Sequence, residues 1–363
     1  MRVLIAAGGT GGHIYPGIAV AKELMRRDAS SAVRFVGTAK GLENRLVPQA
    51  GFELSLIESA GLVNMGLAAR VRGLLVLPKS FVGARRLIKE FRPDVVVGAG
   101  GYVSGPVLLT AALMRVPTLV MESNAVPGFT NRRLARFVDA AAVSFEAALP
   151  YFGGKAQVTG NPVRREFFEA PAKRRDPAHF SLLVFGGSQG ARAVNEAVTA
   201  ALPHLEARRG VLRVTHQTGK LDFEKVRDGY AAAGWSDADV REYIDDMVSA
   251  FAAADLIISR AGATTSFELM AAGKAALMVP LPGQLEQRRN AEVMQEAGAA
   301  RMILQSELSG ERLAREILEL VEDPDRVTRM EQAARKLARG DAAAAAVNLM
   351  EKLVGRRQMA VGS

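Results

Sequence analysis

The same local pattern occurs twice in this chain of 363 residues: an apolar run, a glycine-rich turn and a helical segment. The first copy reads LIAAGGTGGH from Leu4 to His13, and the second reads LLVFGGSQGA from Leu182 to Ala191. An apolar run of this kind predicts a buried strand, and the glycines let the chain turn directly into a helix. The repeat therefore predicts two halves of similar construction.

Short apolar runs alternate with helical periodicity through both halves, which is typical of a parallel sheet covered by helices. In the first half we expect strands at Val3–Ala7, Val33–Val36, Val95–Val97, Thr118–Val120 and Ala140–Val143. In the second half we expect them at Leu182–Phe185, Arg213–Thr215, Val240–Tyr243, Leu256–Ile258 and Ala276–Val279. The predicted fold class is α/β, with two doubly wound, Rossmann-like domains that face a cleft.

The domain boundaries follow from where this pattern stops and restarts. We assign residues 1–160 to the first domain and residues 161–340 to the second, with a polar connector at Lys173–Pro177. An alanine-rich helix at residues 341–357 is predicted to cross back to the first domain. Ligands of such sheets bind at the carboxyl ends of the strands, so the glycine-rich turns are the candidate sites.

The net charge of +9 lies in the first domain, because residues 1–160 contain 19 basic and 10 acidic residues and the remainder contains 28 of each. Segment 66–92 concentrates this excess, with seven basic residues among apolar ones and Glu90 as its acidic residue. We predict that it contacts an anionic membrane surface. The alternative is an ordinary amphipathic helix with a solvated basic face. Nucleic acid is not expected, because aromatic residues are scarce and no binding motif occurs.

The composition also indicates a compartment. The chain has no cysteine, which fits a reducing environment. Its N-terminus lacks the pattern of a signal peptide, and no apolar run approaches the roughly 18 residues that a membrane-spanning helix needs. We therefore expect a cytoplasmic protein that is peripheral on the inner face of the plasma membrane.

The first glycine-rich turn offers backbone amides and a base. Thr10, Gly11 and Gly12 lie where a helix N-terminus can bind phosphate, and His13 follows in the first helical turn. A neutral imidazole there can take a proton from a sugar hydroxyl. The alternatives are a tight turn and a histidine that only bonds across it. The turn spells neither G-x-G-x-x-G nor a Walker A sequence, which disfavours hydride transfer and ATP hydrolysis.

Two turns in the second half have similar chemistry. Ser188 offers a hydroxyl beside backbone amides, and Thr264 and Thr265 open a helix where they can contact a diphosphate. Glu268 can accept both hydroxyls of a ribose, or it can serve as a capping-box residue. The Asp237-Ala-Asp239 sequence precedes a strand, and the histidines lack metal-ligand spacing, so neither a metal nor a cofactor is expected.

Taken together, these segments resemble the MurG family of glycosyltransferases. The resemblance rests on an ordered series of motifs: GGTGGHIYPGIAVA, GGYVSGP, ESNAVPGFTNRRLA, VTGNPVR, FGGSQGARAVNEA, HQTGK, YIDDM, ISRAGATTSFELMAAGKAALMVPLP and NAEVMQEAGAA. It implies the GT-B fold and transfer of N-acetylglucosamine from UDP-GlcNAc to undecaprenyl-pyrophosphoryl-MurNAc-pentapeptide. UDP-GlcNAc is then a substrate and no cofactor is implied.

The resemblance also implies roles for single residues. Ser188 is expected at the diphosphate or nucleoside, and the backbone of Ile244 at the uracil. Thr264 and Thr265 are expected at phosphate, Glu268 at the ribose and Gln287 at the GlcNAc hydroxyls. Thr10, Gly11, Gly12, Asn124 and Arg164 are expected on the other side of the cleft.

Two segments depart from the family pattern. Met121-Glu122-Ser123-Asn124 replaces the common His-Glu-Gln-Asn, so an acid–base role at residue 121 is lost. The segment after Pro282 is shorter than usual, although Gln287 fits the family's glutamine. Other interpretations are a diacylglycerol glycosyltransferase, a UDP-GlcNAc 2-epimerase, or a membrane scaffold that binds a nucleotide sugar without turning it over.

Overall fold

The computed structural model describes residues 1–59, 67–169, 176, 178–187 and 189–362, without the side chains of residues 67–75, 358 and 360–362. The chain divides into two compact units. The first unit is Met1–Val163 with Asp341–Ser363, and the second is Arg164–Gly340. The sequence-based boundaries at residues 160 and 340 lie beside these divisions.

The first unit contains a parallel sheet and six α-helices among the described residues. Its strands are β1 (Arg2–Ala7), β2 (Ala32–Gly37), β3 (Glu53–Leu56), β4 (Val95–Gly100), β5 (Thr118–Glu122), β6 (Ala140–Val143) and β7 (Ala156–Val158). Its helices are α1 (Gly11–Arg27), α2 (Glu43–Gln49), α3 (Leu67–Phe91), α4 (Ser104–Leu113), α5 (Phe129–Leu134) and the C-terminal α14 (Ala342–Gly362). The strand order is β3-β2-β1-β4-β5-β6-β7.

The second unit repeats this architecture with a six-stranded parallel sheet. Its strands are β8 (Phe180–Phe185), β9 (Leu212–Gln217), β10 (Asp239–Arg241), β11 (Leu256–Ser259), β12 (Ala275–Met278) and β13 (Ala300–Met302). Its helices are α6 (Glu166–Glu169), α7 (Arg192–Leu205), α8 (Phe223–Ala232), α9 (Met247–Ala253), α10 (Ala263–Ala272), α11 (Leu285–Glu296), α12 (Gly310–Val321) and α13 (Pro324–Leu337). The strand order is β10-β9-β8-β11-β12-β13.

The predicted fold of two doubly wound α/β units is confirmed. The central strands are mostly apolar and almost entirely buried because helices cover both faces of each sheet. Helix α14 packs on α1 and covers one face of the first sheet, where Val347 and Met350 are buried. One strand was predicted too long, since β10 ends at Arg241 and Tyr243 lies beyond it.

The order of the strands reverses at one place in each sheet. In the first unit the reversal lies between β1 and β4, and in the second it lies between β8 and β11. Loops that leave neighbouring strands in opposite directions open a crevice at such a point. The glycine-rich turns after β1 and β8 therefore lie where doubly wound sheets bind ligands.

Helix α3 covers most of segment 66–92, and some of the apolar residues of this segment face the core. Leu87, Ile88 and Phe91 are buried in the core of the first unit, so they are not available to a lipid surface. The exposed side chains of the described part are mainly basic: Lys79, Arg85, Arg86, Lys89 and Arg92, with Pro78, Val82 and the acidic Glu90 among them. Residue 66 and the side chains of Arg70 and Arg72 lie outside the described part. No helix in the described residues is long and apolar enough to cross a membrane.

A buried polar network joins β9 to two helices in the second unit. The His216 ring lies between Asn195 Oδ1, 3.1 Å from Nε2, and the Tyr230 hydroxyl, 3.2 Å from Nδ1. Asn195 donates its amide to Thr218 O and Asp222, so His216 carries its proton on Nε2 and accepts from Tyr230 through Nδ1. Burial lowers the pKa of His216 to about 3, so the ring is neutral.

This network predicts a loss of stability in acid. The imidazole of the unfolded chain gains its proton near pH 6.5, whereas that of His216 does so near pH 3. The stabilisation is therefore complete above pH 6.5 and falls by about 1.4 kcal/mol per pH unit as the pH drops toward 3. The loss of stability is measured by urea unfolding, followed through the fluorescence of Trp235. Trp235 is the single tryptophan and is buried in the same core. In His216→Gln the stability falls less steeply between pH 6 and pH 4, and an equal slope in both proteins contradicts the assignment.

Candidate functional site

His13 lies at the strand-order reversal of the first unit, in the first turn of α1. Its ring packs directly on Gly100, whose φ is +115°, and a Cβ atom at residue 100 would overlap the imidazole. Burial lowers the pKa of His13, and a smaller opposing effect comes from its hydrogen bond to the Ala99 carbonyl. One ring nitrogen is thus held as a donor, which leaves the lone pair of the other to accept a proton.

Thr10, Gly11 and Gly12 form the start of α1 beside this histidine. Thr10 is the N-cap residue in an extended conformation and is exposed, and its side chain does not cap the helix. The first amides of a helix have no partner within it, so those of Gly11 and Gly12 can face an anion. The ring of Tyr15 packs against Gly11, which limits access from that side.

Glu43 supports the same turn from behind, and the sequence analysis missed it. Its carboxylate is fully buried at the start of α2. It accepts hydrogen bonds from Gly9 N–H at 2.9 Å, Thr38 N–H at 2.8 Å and the Thr38 hydroxyl at 3.0 Å. A Cβ atom at Gly37 or Gly41 would overlap the Glu43 side chain. The one signal for this contact in the sequence is the pair of glycines, Gly37 and Gly41, that precede Glu43.

Asn124 is held by a second buried carboxylate. Glu122 accepts from the backbone N–H of Asn124 at 2.8 Å and from its Nδ2 at 3.1 Å. Asn131 Nδ2 and Gly128 N–H donate to the other oxygen of the same carboxyl. Burial raises the pKa of Glu122, and the hydrogen bonds from these donors oppose the rise. Asn124 is thereby fixed at the carboxyl end of β5, on the edge that also presents His13.

The second unit brings several predicted residues to the reversal between β8 and β11. Ser188 itself lies outside the described residues. Its neighbour Gly187 has a φ of +88°, and the turn continues to Gly190, which lies against the Thr218 carbonyl so closely that a Cβ atom would overlap it. The turn after β8 is thus fixed against the end of β9.

Thr264 and Thr265 lie in the first turn of α10, which follows β11. Gly262 is the N-cap residue, so no side chain caps this helix. Within the described residues, the hydroxyls of both threonines form no hydrogen bond, and the first amides of α10 lack helical acceptors. The N-terminus of α10 therefore offers both N–H and O–H donors to an anion.

Glu268 lies one turn further along α10 and pairs with Arg164. Arg164 Nη2 is 3.7 Å from Glu268 Oε1, and the guanidinium also stacks over the ring of Phe167 at 4.8 Å. The Glu268 side chain is 15% exposed, so a ligand can reach it. Burial raises the pKa of Glu268 to about 7, and Arg164 opposes this rise. The capping-box alternative is not observed, because Glu268 bonds no N–H at the helix start.

Ile244 and Gln287 are also tied to defined partners. The backbone N–H of Ile244 donates to Gln217 Oε1 at 3.0 Å, and Gln217 was not predicted as a site residue. Gln287 accepts the Leu281 N–H through Oε1 at 3.1 Å. Its Nε2 therefore faces away from that bond and can donate to a hydroxyl. No group of three or more possible metal ligands occurs among the described residues.

Comparisons with protein families agree with the two-unit division. Residues 3–143 match the glycosyltransferase family 28 N-terminal domain, and residues 181–347 match the glycosyltransferase family 28 C-terminal domain. The two matches together cover most of the chain.

Individual relatives are similar over nearly the whole length. A UDP-N-acetylglucosamine--N-acetylmuramyl-(pentapeptide) pyrophosphoryl-undecaprenol N-acetylglucosamine transferase from Anaeromyxobacter sp. (strain K) is 49% identical, over 98% of this chain and 94% of that relative. A protein of the same name from Geobacter sulfurreducens is 46% identical over 96% of this chain and 98% of the relative. The crystal structure of MurG from Acinetobacter baumannii superposes with a TM-score of 0.80 at 34% identity, and covers 97% of this chain and 99% of that one.

Proposed function

Because the chain belongs to glycosyltransferase family 28 and to the MurG family within it, we propose that it converts a lipid-linked monosaccharide into a disaccharide. It transfers N-acetylglucosamine from UDP-GlcNAc to the 4-hydroxyl of MurNAc in undecaprenyl-pyrophosphoryl-MurNAc-pentapeptide, the precursor of peptidoglycan. The observation that carries this proposal is 49% identity, over 98% of the chain, to a transferase whose name states this reaction.

The second unit holds the donor in this proposal. The N-terminus of α10, with Thr264 and Thr265, receives the diphosphate, and Glu268 accepts the ribose hydroxyls. Ser188 contacts the diphosphate or nucleoside, the backbone of Ile244 meets the uracil, and Nε2 of Gln287 donates to a GlcNAc hydroxyl. The support is the position of these groups at the carboxyl edge of one sheet, on both sides of its strand-order reversal.

The first unit supplies the base. His13 takes the proton of the MurNAc 4-hydroxyl while the oxygen attacks the anomeric carbon from the face opposite UDP, so the configuration inverts. Thr10, Gly11, Gly12 and Asn124 line the same edge. The negative charge that develops on UDP is met by Arg164 and the α10 N-terminus, with no metal or cofactor in the scheme.

The reaction is tested by UDP release from UDP-GlcNAc, with and without a muramyl-pyrophosphoryl lipid. Release that requires this lipid supports the proposal. Release with diacylglycerol in its place supports a lipid glycosyltransferase. Conversion of UDP-GlcNAc to its 2-epimer without an acceptor and without net UDP release supports an epimerase. Binding of UDP-GlcNAc with neither release nor epimerisation under any condition supports a scaffold.

In the same assay, His13→Ala is expected to lower kcat by about 10²–10⁴-fold, because the hydroxyl loses its base. The KM for UDP-GlcNAc changes little, since His13 does not hold the donor. His204→Ala, an exposed histidine at the end of α7, is the matched control and keeps full activity. Near-normal turnover of a correctly folded His13→Ala protein removes this residue from the role of base.

Donor affinity is expected to increase with pH through about 7. Only the carboxylate of Glu268 accepts both ribose hydroxyls, and its pKa of about 7 makes that form scarce in acid. Below pH 7 the affinity should fall by up to about tenfold per pH unit, and above pH 8 it should level off. Calorimetry with UDP-GlcNAc between pH 5.5 and 8.5 measures this. Glu268→Gln should bind weakly with a flat profile, whereas Glu169→Gln, on exposed α6, should follow the wild type. A flat wild-type profile would show that Glu268 is not linked to donor binding.

We also propose that the enzyme works at the inner face of the plasma membrane, with the exposed basic face of α3 against anionic lipid. The acceptor is membrane-bound in this scheme, and α3 belongs to the unit that holds the acceptor. Lys79 has a partner in Glu58 at 3.5 Å, whereas Arg85 and Arg86 form no ion pair within the described residues. Their charges are therefore available to phosphate head groups.

Vesicle binding tests this contact. Each basic residue near an anionic surface contributes about 1 kcal/mol, so Arg85→Gln combined with Arg86→Gln should weaken partitioning roughly thirtyfold. Vesicles that contain phosphatidylglycerol are compared with pure phosphatidylcholine at low and high salt. Arg208→Gln with Arg209→Gln, on the surface of the second unit, is the control. If neither α3 neutralisation nor salt weakens the binding, the electrostatic contact is ruled out.

A further inference from the structure

The HQTGK motif, residues 216–220, has no role in the scheme above, yet it ends β9 at the edge of the donor site. Strand β9 lies between β8 and β10, and Gln217 is in register with Phe185 on one side and Arg241 on the other. Successive side chains of a strand point to opposite faces. His216 belongs to the buried network with Tyr230, so Gln217 points to the other face of the sheet.

Gln217 is 2% exposed, and its side-chain amide joins two backbone segments. Oε1 accepts the Ile244 N–H at 3.0 Å, and Nε2 donates to the Gly187 carbonyl at 2.9 Å. These partners are 27 and 30 residues away in sequence. Gly187 immediately precedes Ser188, and Ile244 follows β10. One amide therefore bridges the loop after β8 and the segment after β10.

We propose that Gln217 is a positioning residue for the sugar-nucleotide donor, which rests on the function proposed above. It holds the backbone that meets the base in a fixed position relative to the turn that meets the diphosphate or nucleoside. Donor binding then needs no reordering of either segment, so the affinity for UDP-GlcNAc and the preference for its uracil both depend on this bridge.

The chemistry of the bridge requires an amide of this length. Glutamate can accept the Ile244 N–H, but its second oxygen would face the Gly187 carbonyl without a proton between them. Leucine fills the space and forms neither bond. Asparagine carries the same two groups on a side chain that is shorter by one methylene. The three substitutions therefore test different properties of Gln217: the hydrogen bond that it donates, the hydrogen bond that it accepts, and the length of its side chain.

The test compares Gln217→Leu, Gln217→Glu and Gln217→Asn with the wild type. For Gln217→Leu and Gln217→Glu, the KM for UDP-GlcNAc should rise on the order of tenfold or more, because a buried backbone group is left without its partner. The kcat at saturating donor and the KM for the lipid acceptor should stay within about twofold. The ratio of inhibition by UDP to inhibition by CDP should fall, because the backbone that meets the base is no longer fixed. Gln217→Asn should show the same changes in smaller measure.

Gln295→Leu is the control, because Gln295 also bonds a backbone N–H, that of Met302 at 2.8 Å, on strand β13 at the side of the sheet opposite β10. It should leave donor KM and base preference unchanged. Trp235 fluorescence during urea unfolding reports whether each variant is folded. If the Gln217 variants lose kcat in proportion to their folded fraction while donor KM and base preference stay constant, the residue is only structural and the proposal is overturned.

Calorimetric binding of UDP-GlcNAc makes the same comparison without turnover. A wild-type protein that binds UDP-GlcNAc but never transfers the sugar contradicts the proposed reaction, and the Gln217 comparison still decides the positioning role. If the wild type turns over normally and the variants keep its affinity for UDP-GlcNAc, only the proposed role of Gln217 is contradicted. A wild type that does not bind UDP-GlcNAc overturns both.

Discussion

Backbone touches backbone at the carboxyl edges of both sheets, and the arrangement of the site residues depends on this contact. In the first unit a Cβ atom at Gly101 would overlap the carbonyl of Gly8, and in the second a Cβ atom at Gly190 would overlap that of Thr218. Both glycines have positive φ values, +82° and +74°, which side chains rarely adopt. The turns are therefore pressed against their neighbours, and their amides and the adjacent helix starts keep fixed directions.

Buried polar side chains then fix these turns from behind, and the two units use different groups. In the first unit the carboxyl groups of Glu43 and Glu122 accept several N–H donors each. In the second unit, neutral amides lie behind the turn after β8: Gln217 donates to the Gly187 carbonyl and Asn195 donates to the Thr218 carbonyl. The two units thus hold their turns with different groups, carboxyl groups in the first and neutral amides in the second.

The sequence predicted the central strands and glycine-rich turns because these have local signals. It missed β3, β7 and β13, which read ELSL, AQV and ARM. All three lie at sheet edges, where one side is open and no continuous apolar run is needed. It also missed Glu43 and Gln217. Their importance comes from partners that are 34 and 30 residues away, Gly9 and Gly187, and local hydrophobic periodicity does not predict such contacts.

Neighbouring side chains of β5 point to opposite faces of the first sheet. Met121 is buried in the core beneath α1 and α14, whereas the next side chain, Glu122, bonds Asn124. A side chain at residue 121 therefore belongs to the face that α1 and α14 cover. Of the four histidines, His216 is enclosed in the second unit, His179 bonds Asp176, and His204 is exposed at the end of α7. His13 combines a ring whose pKa is lowered by burial, a fixed N–H and a place at a strand-order reversal, and these features support the proposal that it is the base.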